Sequence, residues 1–162
     1  MDYYSKISNG YNNLYGEEQL GKILKIIKEL KIDKDSVLDV GCGTALYSNL
    51  IYNYTGIDNS NGMLGQSNSN VFYGSAEELP FKDNSFDVVI CVTAIHNFSD
   101  PKKAIKEINR VSRGKIAVSL LKRTKMFNNI KEFIRKHLVV YEVDGDKDLI
   151  FIQTSKSWIL SK

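Results

Sequence analysis

The chain has 162 residues, of which 43% are hydrophobic and 25% are charged, so it is long enough to bury one core without disulfides. Two cysteines exclude a disulfide framework and indicate a reducing, cytoplasmic compartment. No apolar run approaches the roughly 20 residues of a membrane span, so we expect no membrane contact. The net charge of +3 hides a basic stretch over residues 100–136. This stretch is either a set of solvated helix faces or a surface for an acidic partner or nucleic acid.

Hydrophobic patterning predicts alternating strands and helices in a single α/β domain of residues 1–162. The predicted strands cover 36–40, 54–57, 71–73, 86–92 and 115–120. The predicted helices cover 17–30, 45–53, 61–66, 101–111 and 126–137. Asp100 and Pro101 mark a helix start, because Asp caps a helix and Pro suits its first position.

Two further patterns concern the ends of the chain. The helix over 17–30 carries an apolar stripe of Leu20, Ile23, Leu24, Ile27 and Leu30 at helical spacing. The β-rich runs 138–143 and 149–154 flank a short turn, which predicts an antiparallel hairpin. A sheet of parallel strands therefore ends in a C-terminal antiparallel pair.

The sharpest local feature is a hydrophobic strand that runs directly into Gly41-Cys42-Gly43. Glycines there permit a tight turn and a close approach of ligand to backbone, and a following helix would offer its N–H groups. Asp58 ends the next strand, where a carboxylate accepts hydrogen bonds from ribose hydroxyls. These residues predict a nucleoside-containing cofactor at the carboxyl edge of the sheet.

The choice of cofactor depends on two neighbouring residues. Leu46 stands where a dinucleotide fingerprint has its third glycine. Asp39, just before the loop, would repel a pyrophosphate but suits an ammonium group. Both facts favour S-adenosyl-L-methionine, with an amino-acid tail, a ribose and an adenine. A nicotinamide-dependent oxidoreductase is the disfavoured alternative.

Five collinear segments between residues 11 and 121 resemble class I S-adenosylmethionine-dependent methyltransferases, in particular the small type 11 methyltransferase domain. They include Val37-Leu38-Asp39-Val40-Gly41-Cys42-Gly43-Thr44, Gly56-Ile57-Asp58-Asn59-Ser60 and Gly74-Ser75-Ala76-Glu77-Glu78-Leu79-Pro80-Phe81. The match continues through Asp83-Asn84-Ser85-Phe86-Asp87-Val88-Val89 and closes with Ala94-Ile95-His96-Asn97-Phe98, followed by Ile105-Lys106-Glu107-Ile108-Asn109-Arg110-Val111. The resemblance implies a Rossmann-like, seven-stranded, mostly parallel sheet with helices on both faces, and methyl transfer to an unidentified acceptor.

The same resemblance implies a set of cofactor-binding residues. Those around the methionine part are Asp39, Gly41, Cys42 and Gly43, with Cys91 and Val92 near the methyl group. Those around the nucleoside are Asp58 on the ribose and Asn59, Met63, Ser75, Ala76 and Glu77 beside the adenine. Residues 1–34 would form a helical segment over the cofactor and contribute Tyr11, and residues 35–162 would form the core.

His96 follows the fourth strand and is the candidate general base, needed only if the acceptor must lose a proton. Its alternative role is structural. The cysteines lack metal-ligand spacing, so no metal site is expected. Only Lys122 to Lys125 separate the fifth strand from the next helix, which leaves the site open on that side.

That opening leaves several alternatives for the acceptor and for what covers the site. The acceptor could be large, an RNA could bind the basic residues, a second copy of the chain could cover the site as a homodimer, or the N-terminal segment could be the only lid. Nucleic acid is not favoured, because no aromatic stacking platform accompanies the basic residues. A non-catalytic subunit or scaffold that binds S-adenosylmethionine is the other function that this pattern permits.

Overall fold

The computed structural model describes the backbone of residues 3–156 and the side chains of residues 16–156. The helices are α1 (Tyr3–Leu30), α2 (Asn61–Leu64), α3 (Pro101–Val111) and α4 (Phe127–His137). The strands are β1 (Ser36–Val40), β2 (Asn53–Asp58), β3 (Val71–Tyr73), β4 (Phe86–Val92), β5 (Ser112–Leu121), β6 (Tyr141–Asp144) and β7 (Asp148–Gln153).

The strands form one seven-stranded sheet in the order β3-β2-β1-β4-β5-β7-β6. Strands β1 to β5 are parallel, whereas β7 runs antiparallel to both β5 and β6. The predicted Rossmann-like sheet with a C-terminal antiparallel hairpin is confirmed. Because β4 lies beside β1, the strand order reverses there, and open α/β sheets bind ligands beyond the carboxyl ends of such strands.

Helices cover both faces of the sheet, as expected. Side chains alternate along β4, so that Val89 and Cys91 enter one core cluster while Val88 and Ile90 enter the other. Helices α3 and α4 cover the first cluster with Ile105, Ile108, Ile130 and Ile134. Helix α1 covers the second cluster with Ile23, Ile26 and Leu30.

Helix α1 is longer at its amino end than predicted, and the face that it buries differs in part from the predicted stripe. It begins at Tyr3, well before the predicted start. Leu20 is 37% exposed and Leu24 is 49% exposed, whereas Ile26, outside the predicted stripe, is 1% exposed. The predicted stripe is therefore only partly correct. Apolar residues occur on more than one side of this helix, and Leu20 and Leu24 lie on an exposed side.

The helix predicted over residues 45–53 was wrong. The structure has only a 3₁₀ turn over Ser48–Leu50, and β2 already begins at Asn53. Ala45 adopts a φ of +53°, which a right-handed helix does not allow. The serine and asparagine residues that follow form helices weakly, because their side chains compete for the backbone.

Asp100 and Pro101 begin α3 as predicted. The Asp100 carboxylate accepts a hydrogen bond from the Lys103 N–H at 3.0 Å, and Pro101 occupies the first turn. The opposite edge of the sheet is fixed by Asp87, which accepts the Ser36 N–H at 2.9 Å and Arg113 Nη1 at 2.8 Å.

The Asp100 cap yields a stability prediction. Asp100→Ala removes the acceptor for an unpaired N–H and should lower the free energy of unfolding by about 1 kcal/mol. Asp100→Ser retains an acceptor oxygen and should stay close to the wild type. Urea unfolding followed by circular dichroism measures both, and equal losses in the two variants would contradict a capping role.

Candidate functional site

The glycine loop joins β1 to the ends of two neighbouring strands. Gly41 has a φ of +76°, and its N–H and that of Cys42 both donate to the Ile57 carbonyl, at 2.8 and 3.1 Å. A Cβ atom added at Gly41 would lie 2.6 Å from the Cβ of Ala94. Glycine is therefore required at position 41 by both conformation and space.

Three neighbouring cavities follow the carboxyl ends of β1, β2 and β4. The first cavity contains Asp39 and lies against α1, the second contains Gly43 and Met63, and the third contains Ala76 and Glu77. They share lining residues, since Gly41 borders all three and Val92 borders the first and second. Together they form an elongated ligand site at the predicted edge of the sheet.

Asp39 lines the first cavity and is half-buried. Burial raises the pKa of its carboxyl group to about 7; the nearby Asp58 adds to the increase, and a hydrogen bond from Tyr54 opposes it. The Tyr54 hydroxyl donates to Asp39 Oδ2 at 2.7 Å. This carboxyl group therefore sits close to half-ionised at neutral pH and gains from a positively charged neighbour.

Asp58 lines the second and third cavities at the end of β2. Its Oδ2 accepts the Gly43 N–H at 2.9 Å, and its Oδ1 accepts the Ser60 N–H at 2.8 Å. These two contacts orient the Asp58 carboxylate at the border of the second and third cavities.

Glu77, which lines the third cavity, is held by two hydrogen bonds. Its Oε2 accepts the Ser75 hydroxyl at 2.6 Å, and its Oε1 accepts the Asp100 N–H at 3.1 Å. Although partial burial acts in the other direction, these hydrogen bonds hold the pKa of Glu77 below its ordinary value. Ala76 also lines this cavity, whereas Ser75 is exposed and acts on the site through Glu77.

The remaining predicted residues divide between the cavities and other positions. Asn59, Met63 and Gly43 line the second cavity, and Cys42 lines the first. Burial raises the pKa of the Cys42 thiol, with Asp39 and Asp58 adding to the effect, so it is a poor nucleophile.

Besides Ser75, two predicted residues with described side chains, Cys91 and His96, line none of the three cavities. Cys91 is fully buried in the core, on the opposite side of β4 from Val92. His96 is half-buried beside the second cavity, in the 3₁₀ turn Ile95–Asn97. Tyr11 belongs to helix α1, but its side chain lies outside the described residues.

Several lining residues escaped the sequence prediction. Gln19 and Ile23 of α1, with Tyr47 and Tyr54, border the first cavity. Phe98 borders the second and third. Tyr54 carried a usable signal, because it lies opposite Val37 in the parallel pair, which puts its side chain on the same face of the sheet as Asp39.

The described residues offer neither a cluster of metal ligands nor a helix suited to span a membrane. Among them, no group of three or more histidine, cysteine or acidic side chains could hold a metal ion. No described helix combines the length and hydropathy of a membrane-spanning segment.

Comparison with known proteins places this geometry in a family. The profile of a family described as "Methyltransferase domain" matches residues 38–118, half of the chain. An uncharacterized protein of Methanocaldococcus jannaschii is 37% identical over 116 residues, 68% of this chain and 46% of that protein. Demethylmenaquinone methyltransferase of Staphylococcus aureus is 34% identical over 128 residues, 67% of this chain and 53% of the enzyme.

The chain thus spans about half the length of these two curated relatives. The fold has a close counterpart in the crystal structure of a SAM-dependent methyltransferase from Thermotoga maritima. That structure has a TM-score of 0.72 at 20% identity, covering 94% of this chain and 98% of the other. On the family match and the shared fold, the chain belongs to the type 11 methyltransferase domain family of class I S-adenosylmethionine-dependent methyltransferases.

Proposed function

We propose that this chain binds S-adenosyl-L-methionine and transfers its methyl group to an acceptor. The observation that carries the proposal is the pair Asp39 and Asp58, which flank the glycine loop at the ends of adjacent strands and line connected cavities. One carboxylate suits an ammonium group and the other suits ribose hydroxyls. The distribution of polar groups along the cavities fits a ligand with both features.

The residues present fit the cofactor along its whole length. Asp39 and the Gly41 backbone would hold the methionine part in the first cavity, and Asp58 would hold the ribose. Asn59, Met63, Ala76 and Glu77 would enclose the adenine. Gly41 and Gly43 leave the room that a Cβ atom would fill: one at Gly43 would lie 3.2 Å from Met63 Cε.

The cofactor supplies a methyl carbon activated by its sulfonium sulfur. The protein's part is to align the acceptor with that carbon and to exclude water. Val92, Thr93 and Ala94 border the second cavity at the end of β4, so this strand end would form the wall nearest the transferred group.

The family match does not identify the methyl acceptor of this chain. The Staphylococcus aureus relative is named for demethylmenaquinone, and no described residue of this site singles out that substrate. Lys122, Arg123 and Lys125 follow β5, and Lys122 is already engaged by Asp144 at 2.7 Å and by the Gly145 carbonyl at 2.6 Å. That engagement favours a small acceptor over an RNA, because fewer cations remain for phosphates.

The first prediction concerns the cofactor itself. Titration calorimetry should detect binding of S-adenosylmethionine or S-adenosylhomocysteine and none of NAD. Asp58→Ala should weaken binding by about 1–3 kcal/mol, the range for charge-assisted hydrogen bonds, and Asp58→Asn should weaken it less. Exposed Asp33, at the amino end of β1, provides the control Asp33→Ala with wild-type affinity. Tighter binding of NAD, or full affinity in a folded Asp58→Ala variant, would contradict the proposal.

The second prediction is a pH dependence set by Asp39. Its pKa lies at about 7, and only the ionised form attracts the ammonium group of the cofactor. Affinity should therefore fall as pH drops below 7, approaching about tenfold for each pH unit. Asp39→Asn should bind more weakly at pH 7.5 and lose this dependence. An equal slope in Asp39→Asn would assign the titration to another group.

The third prediction concerns His96. If the acceptor must lose a proton, His96→Ala should lower turnover by roughly 10²–10⁴-fold and leave cofactor affinity intact. The acceptor must first be found by screening small molecules, protein extracts and RNA with labelled cofactor. Full turnover in His96→Ala would remove the general base. Loss of cofactor binding in step with activity would indicate a structural histidine, and binding without transfer to any acceptor would favour the non-catalytic subunit.

A further inference from the structure

Thr93, at the carboxyl end of β4, is held in an unusual conformation beside the second cavity. Its φ is +52°, which is a rare and strained value for a β-branched residue. Its N–H donates to Ser119 Oγ at 2.7 Å, and its hydroxyl donates to Asp148 Oδ2 at 2.9 Å. Lys22 Nζ donates to the same hydroxyl at 3.0 Å. Contacts from α1, β5 and β7 thus stabilise the strained residue.

Asp148 is the buried centre of this network. It begins β7 and is 1% exposed, and its Oδ2 lies 3.1 Å from Lys22 Nζ. Within the part of the chain that the structure describes, its Oδ1 is buried and has no hydrogen-bond partner. An unpartnered buried carboxylate oxygen is costly, so this atom marks a place where a donor belongs.

His96 lies three residues after Thr93 and has the complementary defect. Its Nδ1 is buried and also lacks a hydrogen-bond partner among the described residues, whereas Nε2 is not one of these buried, unpartnered atoms. The charges that act on the pKa of His96 are those of Asp148, Lys22 and Arg123, and Thr93 ties the first two to the segment that carries His96. Burial lowers the pKa of His96 below its ordinary value of 6.5, Asp148 opposes the change, and the two cations add to it.

We propose that Asp148 is the positioning residue for His96: its unpartnered Oδ1 keeps the proton of the neutral imidazole on Nδ1 and leaves Nε2 as the base. Oδ1 of a carboxylate can only accept a hydrogen bond, and Nδ1 can donate one only in this tautomer. The other tautomer would leave two buried acceptors, Asp148 Oδ1 and His96 Nδ1, without a donor. Lys22 and Thr93 both contact Oδ2 of Asp148, which leaves Oδ1 to interact with His96.

This inference rests on the proposed function for its catalytic meaning and narrows the acceptor to compounds with a removable O–H or N–H proton. As the acceptor heteroatom bonds to the methyl carbon, the carbon–sulfur bond breaks with its electron pair going to sulfur. The acceptor proton moves to Nε2 of His96. The imidazolium that results is stabilised by the negative charge of Asp148.

Nitrogen NMR of the imidazole rings tests the proposal without any acceptor. The chain has two histidines, His96 and His137, and His137 Nδ1 lies 2.9 Å from the Phe133 carbonyl, so it provides an internal reference remote from Asp148. Wild-type His96, measured above its pKa, is expected to carry its proton on Nδ1. A proton on Nε2 in the wild type overturns the inference before any variant is made.

Variants then identify the group responsible. Asp148→Asn should lower the pKa of His96 further, because a neighbouring negative charge is lost, and should move the proton toward Nε2. Arg123→Gln is the matched control: it removes a cation near His96, so the pKa should rise while the tautomer stays unchanged. If Asp148→Asn does not fold because Lys22 loses its partner, the double variant Lys22→Met, Asp148→Asn removes both charges and should show the same tautomer change.

An unchanged tautomer in the folded Asp148 variants overturns the positioning role. Calorimetry with S-adenosylhomocysteine on the same samples separates this failure from that of the proposed function. Wild-type binding with an Nε2–H tautomer refutes the positioning role alone. An Nδ1–H tautomer without cofactor binding refutes the proposed function instead.

Discussion

The close contact between the glycine loop and the end of β4 fixes the geometry on which the site depends. A Cβ atom at position 41 would lie 2.6 Å from Ala94 Cβ and 3.1 Å from Phe98 Cζ, so β1 can meet β4 here only through a glycine. The Ile57 carbonyl accepts two loop N–H groups and ties the same loop to β2. Three strand ends therefore converge on one stretch of backbone, and the cavities open around it.

This convergence brings two carboxylates close together, and their repulsion favours a positively charged ligand. Asp39 and Asp58 end adjacent strands, and the charge of Asp58 adds to the burial that raises the pKa of Asp39. A positively charged ligand relieves that repulsion, whereas a pyrophosphate would increase it. The sequence placed both carboxylates at this edge of the sheet, and the structure adds that the charge of Asp58 acts on Asp39.

The sheet was predictable because β1 and β4 are buried on both faces and read as continuous hydrophobic runs. Residues 45–53 were mispredicted as a helix, because too little weight was given to the low helix propensity of their serine and asparagine residues. Cys91 and Val92 could have been separated from sequence, since neighbours on a strand face opposite sides, and only Val92 reaches the cavities. Gln19 and Ile23 could not be found, because only the packing of α1 across the sheet brings them to the first cavity.

The residues proposed to hold the cofactor and the charged groups that act on His96 come from different parts of the chain. The groups proposed to hold the cofactor, from Asp39 to Val92, fall within the family match over residues 38–118. Lys22 and Asp148 fall outside it, on α1 and β7, yet they meet at Thr93 inside it. A family profile therefore captures the cofactor side and passes over the groups that surround His96. The chemistry of the acceptor is accordingly to be sought where α1 and β7 meet the end of β4.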